Sequence, residues 1–269
     1  MSNLAAHLRG FWRLRQHFEN PLLLALLRLG LVKLKYFPHA ISKGRISYLM
    51  LARPTATTGA DIFVLREVLI EETYRDVLPH LQRRGLRVVD IGANLGSFTI
   101  WLSQAAKVDE AFCFEPEPDS FRLLQFNLAC NGCGFAHALN QAVGGESRTA
   151  RITLNEAKPG ATSIYSAGPG QPPGKAIQVL AFSEWLRQTP GAFDLLKLDC
   201  EGSEWEIVRK TSQLELARFG AVIAEVHTDP EGLQPDEAFA KLMEAAGFRT
   251  VRSARGLYLG IRGQPAAAS

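Results

Sequence analysis

Residues 88–98 read Val88-Val89-Asp90-Ile91-Gly92-Ala93-Asn94-Leu95-Gly96-Ser97-Phe98. Leu86–Ile91 is a short, β-branched apolar run, which predicts a strand buried on both faces. Gly92 and Gly96 fall in the turn that follows, ahead of a helical stretch over Leu95–Ala106. Glycine admits positive φ and close backbone approach, and a helix N-terminus offers free N–H groups. The loop is not a dinucleotide fingerprint. GxGxxG would need glycine where Asn94 stands and again where Ser97 stands. Its shape suits a ligand without a pyrophosphate.

The next strand, Ala111–Phe114, ends at Glu115, 23 residues after Gly92. A carboxylate there can accept hydrogen bonds from both hydroxyls of a ribose. A ribose-binding acid without a pyrophosphate loop points to an adenosyl ligand lacking phosphates, and S-adenosylmethionine fits.

Strands and helices alternate outward from this unit. Asp61–Leu69 alternates apolar and polar residues (Ile62, Val64, Val68) and reads as a strand, and Tyr74–Gln82 reads as a helix. Pro118–Cys130, Ser203–Lys210 and Pro235–Ala246 have helical spacing. His137–Val143, Thr149–Leu154, Ala176–Leu180, Asp194–Leu198, Ala221–Val226, Val251 and Tyr258–Ile261 read as strands. The stretch Pro159–Lys175, rich in Gly, Pro and Ser, reads as an exposed loop. This order predicts an α/β fold with a doubly wound, mostly parallel sheet.

The chain has 269 residues, 46% hydrophobic and 21% charged, enough for one large domain with an appendage. Its net charge of +3 conceals a split. Residues 1–60 carry nine basic side chains (Arg9, Arg13, Arg15, Arg28, Lys33, Lys35, Lys43, Arg45, Arg53) against one acid, Glu19, leaving 21 basic and 26 acidic groups elsewhere. The expected division is a basic helical extension over 1–60 and a mildly acidic body over 61–269. Asn20-Pro21 resembles an N-cap and first helical residue, followed by a Leu-rich run. That run is too short to span a bilayer. It suits a helix packed on the body, or one lying in an anionic membrane interface. Four cysteines are too few for a disulfide scaffold, and the lone Cys130–Cys133 CxxC lacks a partner for a zinc site. The expected location is cytoplasmic, with the alternative of peripheral contact with the inner face of the membrane.

Three motifs now stand in order: Asp90-Ile91-Gly92-Ala93-Asn94-Leu95-Gly96; Phe114-Glu115-Pro116-Glu117-Pro118 with Leu123 and Asn127; and Leu196-Lys197-Leu198-Asp199-Cys200-Glu201-Gly202-Ser203-Glu204. Together, over roughly residues 86–230, they resemble the FkbM family of S-adenosylmethionine-dependent methyltransferases. The resemblance implies a seven-strand, Rossmann-like methyltransferase sheet and methyl transfer to oxygen on sugars, polyketides or other secondary metabolites. It also implies a cofactor site. Asp90, Gly92, Ala93, Asn94 and Gly96 would hold the methionine end, Glu115 and Pro116 the ribose, and Asn140 and Gln141 would lie near the adenine.

An aliphatic hydroxyl is a poor nucleophile, so its methylation calls for a base or a metal. In such sheets ligands bind at the C-terminal strand ends. There His227 is the expected general base, because imidazole titrates near neutrality. Asp199 is expected at the substrate or cofactor amine, or capping the next helix. Glu204 is expected to be structural. Asp199, Glu201 and His227 are one conceivable divalent-metal set, but their spacing does not establish it, and no metal ligands are assigned. The expected acceptor is a glycan or small metabolite. Two other classes remain: a nucleic-acid methyltransferase using the basic arm, which the acidic turn Asp199–Gly202 disfavours, and a non-catalytic adenosyl-binding module. Oligomeric state is not encoded in any motif.

Overall fold

A computed structural model describes residues 17–262 apart from 21, 23–25, 27–30, 32–33, 44–45, 54–59, 82–84, 155–161, 167–174 and 228–234. The first described strands, β1 (Phe37–Lys43) and β2 (Ile46–Ala52), form an antiparallel hairpin. Then come helix α1 (Ala60–Leu65), a π-helical turn (Arg66–Ile70), a 3₁₀ turn (Arg75–His80), β3 (Leu86–Ile91), α2 (Ser97–Ala105), β4 (Val108–Phe114) and α3 (Pro118–Cys130). The chain continues through β5 (Ala136–Leu139), β6 (Ala142–Gly144), β7 (Arg148–Leu154), β8 (Thr162–Ser166), β9 (Lys175–Ala181), α4 (Phe182–Gln188) and β10 (Phe193–Leu198). It closes with α5 (Ser203–Lys210), α6 (Gln213–Leu216), β11 (Phe219–Ala224), α7 (Pro235–Ala245), β12 (Arg249–Arg252) and β13 (Tyr258–Ile261).

The main sheet has seven strands in the order β12-β13-β11-β10-β3-β4-β5, parallel except for the antiparallel β13. This is the doubly wound, mostly parallel sheet expected. Alternation along each central strand assigns residues to opposite faces. Val88, Leu195 and Ile223 join one core with Phe98 and Trp101; Val89, Leu196 and Val222 join the other with Trp205 and Phe239. Each such fully buried aliphatic side chain contributes roughly 1.5–3 kcal/mol. The strand order reverses beside β3, so the ends of β3 and β10 open a crevice at the switch point.

Several local expectations change. Residues 61–69 are helical, not a strand: the apolar side chains buried are Ile62, Leu65, Val68 and Leu69, spaced three and four apart around the helix. Short apolar patterns fit both periods, and here packing of that helical stripe decides. His137–Val143 splits into β5 and β6, which lie in different sheets. β6, β9, β7 and β8 form a second, four-stranded sheet that the sequence reading did not separate. It is fastened to α5 by Arg148, which donates Nη1 and Nη2 to the two carboxylate oxygens of Glu206 at 2.9 Å each. Residues 162–166, expected in a loop, pair with β7.

The helical extension is also corrected in part. Residues 37–43 and 46–52 are the paired strands β1 and β2, and Ile41, Tyr48, Met50 and Ala52 enter the same core as Val88 and Phe98. Alternating Phe37, His39 and Ile41 bury one face of β1, the period of a strand. Most of the Leu-rich run at 21–32 lies outside the described residues, as do residues 1–16. Among the described residues, no helix is long and apolar enough to cross a membrane.

Candidate functional site: a glycine-lined crevice above the central strands

Three backbone bonds carry the sheet ladder past the strand ends. Asp199 N–H donates to the Ile91 carbonyl (3.1 Å), Glu225 N–H to Leu198 (2.9 Å) and Glu115 N–H to Leu139 (3.0 Å). They align Asp199, Glu225 and Glu115 along the rim of the crevice. Gly92 (φ +82°) and Gly96 (φ +83°) shape the loop between β3 and α2, and Asn94 between them also adopts positive φ, at +49°. A Cβ on Gly92 would collide with the Asp199 carbonyl oxygen, so the two loops meet at backbone contact.

Glu115 is 7% exposed. One carboxylate oxygen accepts from Asn94 N–H (2.9 Å), the other from Glu117 N–H (2.8 Å). Each oxygen keeps a lone pair for a further donor, as two vicinal hydroxyls would require. Burial raises the Glu115 carboxyl to about 7, against those two N–H donors, which favour its charge. Asn140 Nδ2 donates to the carbonyls of Glu115 (2.8 Å) and Pro116 (3.2 Å), so it braces the loop that follows β4. Gln141 is half-buried beside it. These residues fit an adenosyl group: an acid at the end of β4, a turn without side-chain bulk, and the N-terminus of α2.

Asp90, expected at the methionine end, lies near the end of β3. It is fully buried, accepting from Thr99 Oγ1 at 2.9 Å, with Lys197 Nζ 3.2 Å away. Through Lys197 it is linked to the Gly92 carbonyl of the glycine loop. Lys197, 2% exposed, pairs with it in the β3–β10 register. The Lys197 ammonium donates to the Gly92 carbonyl (2.7 Å) and lies 3.3 Å from Asp199 Oδ2. Burial opposes its charge, but Asp90 and Asp199 hold it well above the usual lysine value. One buried cation thus ties the Gly92 loop to the Asp199 carboxylate.

Asp199 Oδ2 also accepts from the Tyr74 hydroxyl at 3.1 Å. Tyr74 and Lys197 fix the carboxylate, which remains partly exposed. Glu225 stands at the mouth of the crevice. Burial of the carboxyl, then the neighbouring Asp199 charge, raises it to about 7, although the residue as a whole is exposed.

His227 is held by two groups of α5. Trp205 Nε1 donates to the His227 carbonyl (2.9 Å), and Glu204 Oε1 lies 3.1 Å from His227 Nδ1. Glu204, 0% exposed, also accepts from the N–H groups of Cys200 (2.7 Å) and Gly202 (2.8 Å), the structural role expected of it. Burial would lower the imidazole, but Glu204, Glu201 and Asp199 raise it to about 9. These carboxylates favour the charged imidazolium over the neutral ring that a general base would need. Among the described residues, no group of three or more His, Cys, Asp or Glu side chains is arranged to hold a metal ion. Tyr74 was missed in the sequence because it is 125 residues from Asp199 and no motif surrounds it.

The methyltransferase FkbM domain family matches residues 90–250. The chain belongs to this family of methyltransferases. Methyltransferase 1 of Beauveria bassiana (strain ARSEF 2860) is 27% identical over 217 residues, covering 73% of this chain and 84% of that one. Methyltransferase sdnD of Sordaria araneosa is 23% identical over 245 residues, covering 80% and 90%. Among solved structures, the methyltransferase FkbM from Methylobacillus flagellatus KT is similar at TM-score 0.46 and 14% identity; the match spans 66% of this chain and 44% of that one. Magnesium protoporphyrin IX methyltransferase from Synechocystis PCC 6803, solved with bound SAM, is similar at TM-score 0.41 and 14% identity, over 76% and 82%.

Proposed function

We propose that the protein is an S-adenosylmethionine-dependent O-methyltransferase acting on a hydroxyl of a small metabolite or glycan. The observation that carries this reading is Glu115. It is a buried carboxylate with a free lone pair on each oxygen, beside a turn that reaches backbone contact at Gly92. When bound, the cofactor supplies a methyl group activated on a sulfonium. Gly92, Asn94 and Gly96 leave space for the methionine end, Glu115 accepts from the ribose hydroxyls, and Asn140 fixes the loop beneath. The protein's further contribution is alignment and proton removal.

Asp199 and Glu225 flank the acceptor side. Tyr74 and Lys197 orient Asp199, and burial together with the Asp199 charge keeps Glu225 near the neutral range, where a carboxylate is an effective proton acceptor. This carboxylate pair would take the proton of the acceptor hydroxyl, and the cofactor, when bound, would supply the methyl group to that oxygen as its carbon–sulfur bond breaks to leave a neutral thioether. His227, charged and hydrogen-bonded to Glu204, orients the acceptor. Acids at this rim disfavour an acceptor presenting phosphates, and so disfavour nucleic acid.

Calorimetry with S-adenosylmethionine should show one saturable site, weakened at least about tenfold by Glu115→Ala, the loss of two charged acceptors. A hydroxylated metabolite pool incubated with cofactor should yield a product heavier by one methyl, on oxygen by NMR. A methyl found on nitrogen or carbon would refute O-transfer.

A further inference from the structure

The hairpin reaches the cofactor crevice through two contacts. Asn127 of α3 accepts from Leu51 N–H (2.6 Å) and donates Nδ2 to the Leu51 carbonyl (3.1 Å) and the Leu95 carbonyl of the glycine loop (2.9 Å). Arg53, just after β2, makes the second. Its backbone N–H and Nε both donate to Asp61 Oδ2 (2.7 and 3.0 Å). Its Nη2 donates to Asp61 Oδ1 (2.9 Å) and Ser120 Oγ (3.1 Å), and its Nη1 to Glu117 Oε2 (3.4 Å). Glu117 is 2% exposed and caps α3 by accepting from Ser120 N–H at 2.7 Å. The same residue gives its own N–H to Glu115. One residue therefore stands between Arg53 and the ribose acid.

We propose that Arg53 is a positioning residue for the cofactor, holding Glu117 and through it Glu115 in place to accept the ribose hydroxyls. The proposal rests on the reading of Glu115 as the ribose acid. Two buried acids in one loop, Glu115 and Glu117, repel each other and need a counter-charge. Lys197 of β10 faces them from below, engaged with Asp90 and Asp199. Lys175 of β9 lies 3.5 Å from Glu117, with its side chain 59% exposed and hence largely screened. Asp61 of α1 holds the guanidinium and adds no positive charge. Arg53, with its side chain 25% exposed and its fork held by Asp61 and Glu117, is the principal counter-ion on the hairpin side. It lies outside residues 90–250, so a segment beyond the family match completes the site.

The test is S-adenosylmethionine calorimetry from about pH 6 to about pH 9 on wild type, Arg53→Met, Arg53→Lys and Glu115→Gln, each checked for folding by circular dichroism. Loss of the cation makes Glu115 harder to ionise. Arg53→Met should therefore bind about tenfold more weakly at the acid end, the equivalent of one pKa unit, with the gap closing as pH rises. Arg53→Lys should recover most of the affinity. Wild-type affinity in Arg53→Met, or a loss independent of pH, overturns the proposal while Glu115→Gln still binds weakly. Wild-type affinity in Glu115→Gln instead overturns the ribose reading itself. Should Arg53→Met not fold, Arg53→Gln, which keeps amide donors toward Asp61 without the charge, is held to the same outcomes.

Discussion

Gly92 is the residue at which the loop after β3 touches the loop after β10. Its φ of +82° and its contact with the Asp199 carbonyl both exclude a side chain. Gly92→Ala should lose at least about 2 kcal/mol of stability, from backbone strain plus a clash with main chain, and should abolish cofactor binding. Urea unfolding and calorimetry measure the two effects. His227 gives a second residue-level prediction, with a definite sign. Its folded value, about 9, lies above the ordinary 6.5, so the charged imidazole stabilises the fold fully below about pH 6.5. That contribution disappears as pH rises through about 9. The difference in Tm between wild type and His227→Gln should shrink over this window. The buried His39 behaves oppositely. Burial lowers it to about 4, so its neutral form favours folding above about pH 6.5, and this support is lost as pH falls toward 4. Gly92 and Glu115 were legible in the sequence because a tight turn and a strand-end acid are local demands. Tyr74 and Arg53 were not. Their partners Asp199 and Glu117 are 125 and 64 residues away, and neither contact leaves a spacing to read.

At the scale of elements, α3 is the bracket between the hairpin and the glycine loop. Its Asn127 side chain meets the β2 backbone as a further strand would, and Asn131 repeats the pattern one turn later, bonding Leu49 N–H (3.2 Å) and carbonyl (2.8 Å). Asn127→Leu keeps the volume but leaves buried donors and acceptors unpaired, a cost of about 2–3 kcal/mol. Amide hydrogen exchange at Leu51 and around Leu95 should rise together in that variant. Protection unchanged at both would separate the hairpin from the loop. Elements were legible where burial covers both faces. β3, β10 and β11 are short, largely apolar runs that suit central parallel strands, with the buried charges Asp90 and Lys197 paired between β3 and β10. The misread elements lie at the margins. Residues 61–69 fit two periods at once, and the pairing of β6 with β9 depends on a return of the chain that no local pattern announces.

For the whole molecule, the charge split acquires a structural answer. Some of the positive charge in residues 1–60 is matched by the body itself, through Lys43 to Glu72 at 2.8 Å and Arg53 to Asp61 and Glu117. The exposed Lys43 pair is worth under about 1 kcal/mol; the hairpin is held chiefly by burial of Ile41, Tyr48 and Met50. Removing residues 1–52 should therefore yield an unfolded or aggregating chain, seen as loss of the cooperative thermal transition. A soluble, cooperatively melting product would restore the picture of a separate arm. The central claim is that Glu115 receives the ribose of an adenosyl cofactor above the Gly92 turn. A crystal structure with S-adenosylhomocysteine tests it most directly. The account predicts both ribose hydroxyls on the Glu115 carboxylate, with the methionine end over Gly92–Gly96. A ligand bound elsewhere, or a ribose held by other side chains with Glu115 untouched, would contradict it.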